Sequence, residues 1–133
     1  MILLDTHVAL WLVIDTKSLG KRTKQIARQA LTAGQVAISA ISFWEIALLI
    51  AKGRLRSVDS AADMRRQMLR AGAVELPLTG DVAILASELT GLHADPADRF
   101  IVATAIDRNA TLVTADENLL LWRHSLRRQN AET

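Results

Sequence analysis

Short apolar runs alternate along this chain with longer stretches in which apolar residues recur at helical spacing. Ile2–Leu4, Val36–Ser39 and Thr111–Thr114 are brief and nearly unbroken apolar runs, the pattern of strands buried on both faces. Residues 74–78 read as a further strand, placed at a sheet edge because Pro77 has no amide proton to give a ladder. Between these runs the spacing predicts helices over residues 8–14, 18–33, 43–52, 59–71, 81–89 and 96–109, with Gly34, Gly53 and Gly72 as stop signals. Strands alternating with helices predict an α/β fold of three layers, a mainly parallel sheet covered on both faces. Ligands of such sheets bind beyond the carboxyl ends of the strands.

No repeat, linker or low-complexity tract interrupts the pattern, so residues 1–133 are expected to form a single domain. The last stretch, LLLWRHSLRRQNAET, fits neither template well. Residues 120–133 read as a basic tail, helical or loose, so a fifth strand is not expected and the sheet is counted at four strands, five at most.

Composition removes several classes of function. Half of the residues are hydrophobic, which excludes general disorder, and the absence of cysteine excludes disulfides and thiolate metal sites. The opening MILLDTHVALWLVID lacks a basic leader and is broken by Asp5 and His7, so it does not read as a signal peptide. No run approaches the ~18 to 20 apolar residues that span a bilayer, and a soluble, cytoplasmic protein is expected.

Charge alters the picture more than its sum suggests. The net charge is +2, but sixteen Lys and Arg set against the ten acids outside the candidate site leave +6. Lys17, Lys21, Arg22, Lys24 and Arg28 lie in a stretch with no acid between Asp15 and Glu45. That is either an ordinary solvated helix face or a surface for a phosphodiester substrate.

Three of four candidate acids sit where an α/β sheet would place a site. Asp5 ends the first strand, Glu45 lies early in the helix after the second, and Asp116 follows the fourth in TLVTAD. Asp98 belongs to the preceding helix, in HADPADRFIVATAI, and heads a stripe of Ile101, Val102, Ala105 and Ile106 centred within roughly 10° of it at helical geometry. Glu45 is embedded in FWEIALLIA, with Leu48 and Leu49 at the positions one turn on. A carboxylate on an apolar face is costly unless something pairs with it. Each acid also has a local reading. Ser42–Glu45 matches a capping box, Asp95-Pro96-Ala97-Asp98 a cap, a helix-opening proline and a first-turn acid, and Thr114–Glu117 another cap. Separate caps have no reason to converge on one end of one sheet, and four buried carboxylates together would repel without a cation. Hard divalent ions take oxygen ligands, and magnesium is held by only a few carboxylates. No cysteine nucleophile, Gly-rich phosphate loop or zinc-like His pair offers a competing chemistry. His7, His93 and His124 read as surface or supporting residues, and Trp11 and Trp44 as core rather than stacking platforms.

The segments LLDTHVALWL, SAISFWEIALLIAKGRL, HADPADRFIVATAI and LVTADENL together resemble the PIN-domain ribonucleases, and among them the VapC toxins of bacterial toxin–antitoxin pairs, over residues 2–119. The resemblance implies a metal-dependent endoribonuclease with Asp5, Glu45, Asp98 and Asp116 as catalytic acids. Asp5 and Asp98 would hold magnesium, for which manganese may substitute, with Glu45 and Asp116 acting directly or through water. It also implies an RNA substrate, a homodimer and a VapB-like antitoxin partner. Asp95 is read as a helix cap first, with a supporting role through Arg99 or the metal, and Thr6 and Ser39 as hydroxyls behind the site. The absence of a further strand is the departure from the family's pattern. Two other readings stay open. A haloacid-dehalogenase-like phosphohydrolase also starts from an Asp after an apolar strand, but needs a second Asp where His7 stands. A catalytically inactive RNA- or protein-binding domain would have no use for four intact acids.

Overall fold

A computed structural model describes residues 1–133. The chain runs β1 (Ile2–Leu4), α1 (Thr6–Ile14), α2 (Lys21–Thr32), β2 (Val36–Ser39), α3 (Ala40–Ala51), α4 (Ala61–Ala71), β3 (Val74–Leu76), α5 (Gly80–Glu88), α6 (Pro96–Asp107), β4 (Thr111–Thr114), α7 (Glu117–Leu121) and β5 (Arg128–Asn130). The sheet order is β3-β2-β1-β4-β5 and every pair is parallel. From β1 the chain winds outward through β2 to β3, then returns to place β4 on the other side of β1. The winding direction therefore reverses between β1 and β4, which opens a crevice at their carboxyl ends.

Alternation along the strands divides the core into two faces. Leu4, Val36, Ile38 and Val113 join Val8, Leu10, Ile46, Met64 and Met68 from α1, α3 and α4. Leu3, Ala37 and Leu112 join Ile101, Val102 and Ala105 of α6, with Leu119 and Trp122. The apolar stripe of α6 is thus its core face, as its spacing predicts, and β3 is the edge strand that Pro77 implied. No helix is long and apolar enough to cross a membrane.

Three expectations are corrected. The fifth strand exists: β5 extends the sheet beyond β4, held by Leu112 N–H to the Arg127 carbonyl and Ala131 N–H to the Thr114 carbonyl, both 2.9 Å. Its sequence, RQN, offers no apolar residue to read, because its hold comes from backbone bonds and from Arg128. The guanidinium of Arg128 donates to the carbonyls of Leu119, Trp122, His124 and Leu126, at 2.6–3.0 Å, and organises the loop that delivers the strand. The second correction is Trp44, which is 56% exposed on α3 rather than core. Third, α3 begins at Ala40 with Ser39 as its cap, the Ser39 hydroxyl accepting from the Ile41 amide at 3.2 Å. Ser42 and Glu45 therefore form no capping box.

Residues 130–133 pack on the start of α2. Gly20 N–H donates to the Ala131 carbonyl at 2.8 Å, Arg22 N–H to that of Thr133 at 3.1 Å, and the Thr23 hydroxyl to that of Asn130 at 2.9 Å. Gly20 has an ordinary extended backbone, φ −63° and ψ 152°, so its need is for space: an added Cβ would lie 2.2 Å from the carbonyl carbon of Thr133. Gly20→Ala should cost about 1–3 kcal/mol, the scale for forcing an extra carbon into a packed site. It should also strip hydrogen-exchange protection from the Ala131 amide. An alanine variant as stable as wild type, with that amide still protected, would contradict this account of the contact.

Candidate active site

Asp5 stands at the junction of β1 and α1 and is 5% exposed. Its backbone N–H continues the ladder to the Val113 carbonyl at 3.0 Å, so the end of β1 is fixed against β4. One carboxylate oxygen accepts from the Thr6 amide and the other from the Thr114 hydroxyl, both at 2.7 Å. Thr114 in turn accepts from the Asp116 amide at 3.0 Å, so one buried hydroxyl positions two acids on neighbouring strands. Asp116 caps α7, its carboxylate accepting from Asn118 N–H at 2.8 Å and Leu119 N–H at 3.3 Å. The local reading of Asp116 as a cap therefore holds, without removing it from the pocket.

Glu45 is tied to the same junction from α3. The Thr6 hydroxyl lies 2.5 Å from Glu45 Oε1 and 2.8 Å from Ser42 Oγ. A hydroxyl has one proton and an ionised carboxylate only accepts, so that proton goes to Glu45 and Ser42 fills a lone pair of Thr6. Thr6 supports Glu45 as expected of a hydroxyl behind the site, whereas Ser39 serves its helix. Asp98 opens α6 with its amide capped by Asp95 at 2.9 Å, so Asp95 is the cap and Asp98 is not. Glu45, Asp95 and Asp98 each present an oxygen within 4.8 Å of the others.

These residues line one pocket of about 430 Å³ at the β1/β4 crevice, together with His7, Trp11, Ala115 and Glu132. All four acids singled out from the sequence are brought to it. Asp95, read mainly as a cap, belongs to its closest carboxylate group; a second acid three residues before Asp98 in DPAD was the available signal. Glu132 was missed, since it enters from the tail beyond β5, and nothing in its local sequence marks it. Arg99 does not pair with the acids. It donates to the carbonyls of Ala86, Leu89 and Leu92 at 2.7–2.9 Å and holds the start of α6 to the end of α5. His93 and His124 lie outside the pocket, and His7 is the one histidine within it. A larger cleft of about 550 Å³ beside α1 and α4 contains Asp59 and Asp63, but Asp63 is paired with Arg66.

Electrostatics show how tightly the acids crowd. Burial raises the Asp5 carboxyl above its ordinary range, against the hydrogen bonds from Thr114 and Thr6 that lower it. Burial likewise raises Glu45, against the Thr6 bond. Asp98 is pushed up to about 8, by burial first and then by the charges of Asp5, Asp95, Glu45 and Asp116. Its own donors are too few to compensate. The donor set is all oxygen with one imidazole nearby, open on one side, which fits a hard divalent cation and not a soft one.

A doubly wound α/β domain with an acidic pocket at its switch point is the class that fold and site define. Residues 2–121 match the PIN domain family. The chain is 33% identical over 124 residues to Ribonuclease VapC22 of Mycobacterium tuberculosis, covering 92% of each. The chain belongs to the PIN domain family, and the phosphohydrolase alternative falls with that assignment. Its fold is shared with the DNA-bound VapBC of Salmonella typhimurium, at 16% identity, TM-score 0.71 and 96% coverage of each chain. It is shared too with VapBC2 of Rickettsia felis bound to a promoter DNA fragment, at 19% identity, TM-score 0.66 and 98% coverage of each.

The raised carboxyls make stability depend on pH in a defined direction. A proton binds Asp98 more tightly in the folded state than in the unfolded chain, whose carboxylate titrates near ~3.9. The stabilising contribution is full below that value and is lost as pH rises through about 8, with Asp5 and Glu45 acting in the same sense. In chelator, the melting temperature of wild type should therefore fall between roughly pH 5 and pH 8. Asp98→Asn should flatten that fall, and divalent metal should offset it in wild type by binding the native state. An asparagine variant with the same slope as wild type would show that Asp98 does not carry the repulsion.

Proposed function

We propose that this chain is a metal-dependent endoribonuclease acting as the toxin of a toxin–antitoxin pair in the cytoplasm. The observation that carries the reading is the convergence of Asp5, Glu45, Asp98 and Asp116 on one pocket, with Asp98 held near neutrality until a cation relieves it. Family membership and the likeness to Ribonuclease VapC22 support the choice of RNA as substrate. Asp5 and Asp98 hold magnesium or manganese, with Glu45 and Asp116 acting directly or through water, and Asp95 close enough to join them. When bound, such an ion supplies charge neutralisation at the phosphate and activation of water.

The chain's own residues do the rest. Asp5, locked by Thr6 and Thr114, fixes the floor of the pocket and cannot swing away. Glu45 is partly buried with a raised affinity for protons, which suits it to accept one from the attacking water. Water attacks phosphorus in line, the bond to the 3′ oxygen breaks, and that oxygen takes a proton from solvent, so the products carry a 5′-phosphate and a 3′-hydroxyl. Lys21 and Arg22 begin α2, whose backbone bonds the segment that carries Glu132, and their charges are the ones assigned to attracting the RNA backbone.

A VapB-like antitoxin is the proposed partner, supported by the VapBC assemblies that share this fold. A homodimer is supported by apolar surface, including the half-buried Leu12, Val13 and Ile14 at the end of α1, where only Val8, Ala9 and Leu10 among the apolar residues are buried. The most exposed apolar side chains are Trp44 on α3, Ile84 on α5 and Leu121 on α7, at 56%, 60% and 73%.

Purified protein should cut RNA with magnesium or manganese, stop in chelator, and leave 5′-phosphate ends that a phosphate-dependent exonuclease can enter. Asp98→Asn should reduce cleavage to background while melting no lower than wild type in chelator. Products ending in 2′,3′-cyclic phosphate, formed in chelator, would overturn the mechanism, because they require the ribose hydroxyl and no metal. A folded protein that binds RNA and never cuts it would leave the inactive binding domain as the better reading.

A further inference from the structure

The three tryptophans occupy three different settings. Trp122 is 7% exposed, donates its indole proton to the Thr90 carbonyl at 3.0 Å, and stacks on His124 with ring centroids 4.3 Å apart. Trp44 is on the outer face of α3 and is absent from the pocket. Trp11, on α1, is half-buried: part of it packs against the core face that holds Leu10 and Val113, and part of it lines the acidic pocket.

That placement is chemically out of character with the rest of the pocket. Six of its nine lining residues are carboxylates, and Trp11 and Ala115 are the two apolar ones. Carboxylates and the cation they suit engage phosphate, but they offer nothing to the flat face of a base. An indole does, and stacking on it is tolerant of sequence because every base has a π face. Ala115 is small and directly precedes Asp116, while Trp11 lies less than two turns beyond Asp5. The apolar pair therefore shares one pocket with the acids that follow both strand ends, and a base resting on the indole would lie in that same pocket.

We propose that Trp11, with Ala115 leaving room before it, is the stacking platform for a nucleobase next to the scissile phosphate. The inference rests on the ribonuclease reading and adds to it a residue that binds substrate without touching the metal. It accounts for a large aromatic side chain at the border of core and pocket, where a leucine would fill the core side alone.

The test compares Trp11→Leu and Trp11→Phe with wild type on two short probes, an oligoadenylate and the matching abasic ribose-phosphate oligomer. Binding is measured with calcium in place of magnesium, gels confirming that the probe stays intact, and each value is corrected for the folded fraction. Stacking predicts that Trp11→Leu binds oligoadenylate about 10-fold more weakly. Its binding of the abasic oligomer should stay within roughly twofold of wild type, and Trp11→Phe should keep most of the affinity for oligoadenylate. Equal losses on the two probes, or no loss on either, would overturn the role, since a merely structural tryptophan cannot tell a base from its absence. The two readings fail differently. If wild type cuts RNA with magnesium and the leucine variant treats both probes alike, only the stacking platform is wrong. If wild type neither binds the oligomers nor cuts RNA with metal, the ribonuclease reading falls and the platform with it.

Discussion

The bond from the Thr114 hydroxyl to Asp5 crosses from β4 to β1 at the point where the sheet reverses its winding, and the site is organised around it. Asp5 is almost fully buried, and a buried carboxylate that loses a hydrogen-bond partner costs about 1–3 kcal/mol or more. That cost holds Asp5 in one orientation. Thr114 also receives the Asp116 amide, and Thr6, beside Asp5, gives its proton to Glu45. Two buried threonines thus set three acids drawn from β1, α3 and the end of β4. Both hydroxyls are fully engaged, so a valine at either position would keep the shape and leave carboxylates without donors.

Fixing the acids so closely creates a repulsion that the fold alone does not remove. Glu45, Asp95 and Asp98 have oxygens within 4.8 Å of one another, and two full charges at that outer limit repel by about 3–4 kcal/mol at an effective dielectric near ~20. The amino terminus of α6, where Asp95 and Asp98 sit, returns only about 0.3–1 kcal/mol per acid. Burial, the larger cause, and repulsion then act together, and the metal-free molecule answers both by holding a proton on Asp98. A divalent cation competes with that proton for the same oxygens. The strain visible in the carboxyls is therefore the counterpart of affinity for a cation, as expected of a site built to be completed by one.

Much of this was legible in the sequence, for a reason particular to each element. Ile2–Leu4, Val36–Ser39 and Thr111–Thr114 are buried on both faces, so their apolar runs announced them. Asp98 was legible because its helical stripe is the true core face of α6. Glu45 stood out among apolar neighbours, but its partner, Thr6, lies 39 residues away, and no local pattern reports such a contact. Trp44 was misread because α3 is apolar nearly all round: where every position is apolar, periodicity cannot say which side faces solvent. β5 left no pattern because an edge strand of polar residues is held by its backbone, and Glu132 went unnoticed with it.

The same structure changes what the basic excess can do. Several cations of the basic excess are engaged elsewhere. Arg128 and Arg99 each bond several backbone carbonyls, Lys24 pairs with Asp15 at 2.5 Å, and Arg65 pairs with Glu75 at 2.6 Å. Lys17, Lys21 and Arg22 at the start of α2, and Lys52, Arg54 and Arg56 after α3, make no ion pair within the chain. Attraction of a polyanion depends on where charge is free, and not on its sum. α2 begins against the segment bearing Glu132, through the same contact that Gly20 makes possible. The strand that the sequence concealed thereby links two features: the segment after it carries a carboxylate into the pocket and bonds, through its backbone, the start of α2, where Lys21 and Arg22 are unpaired.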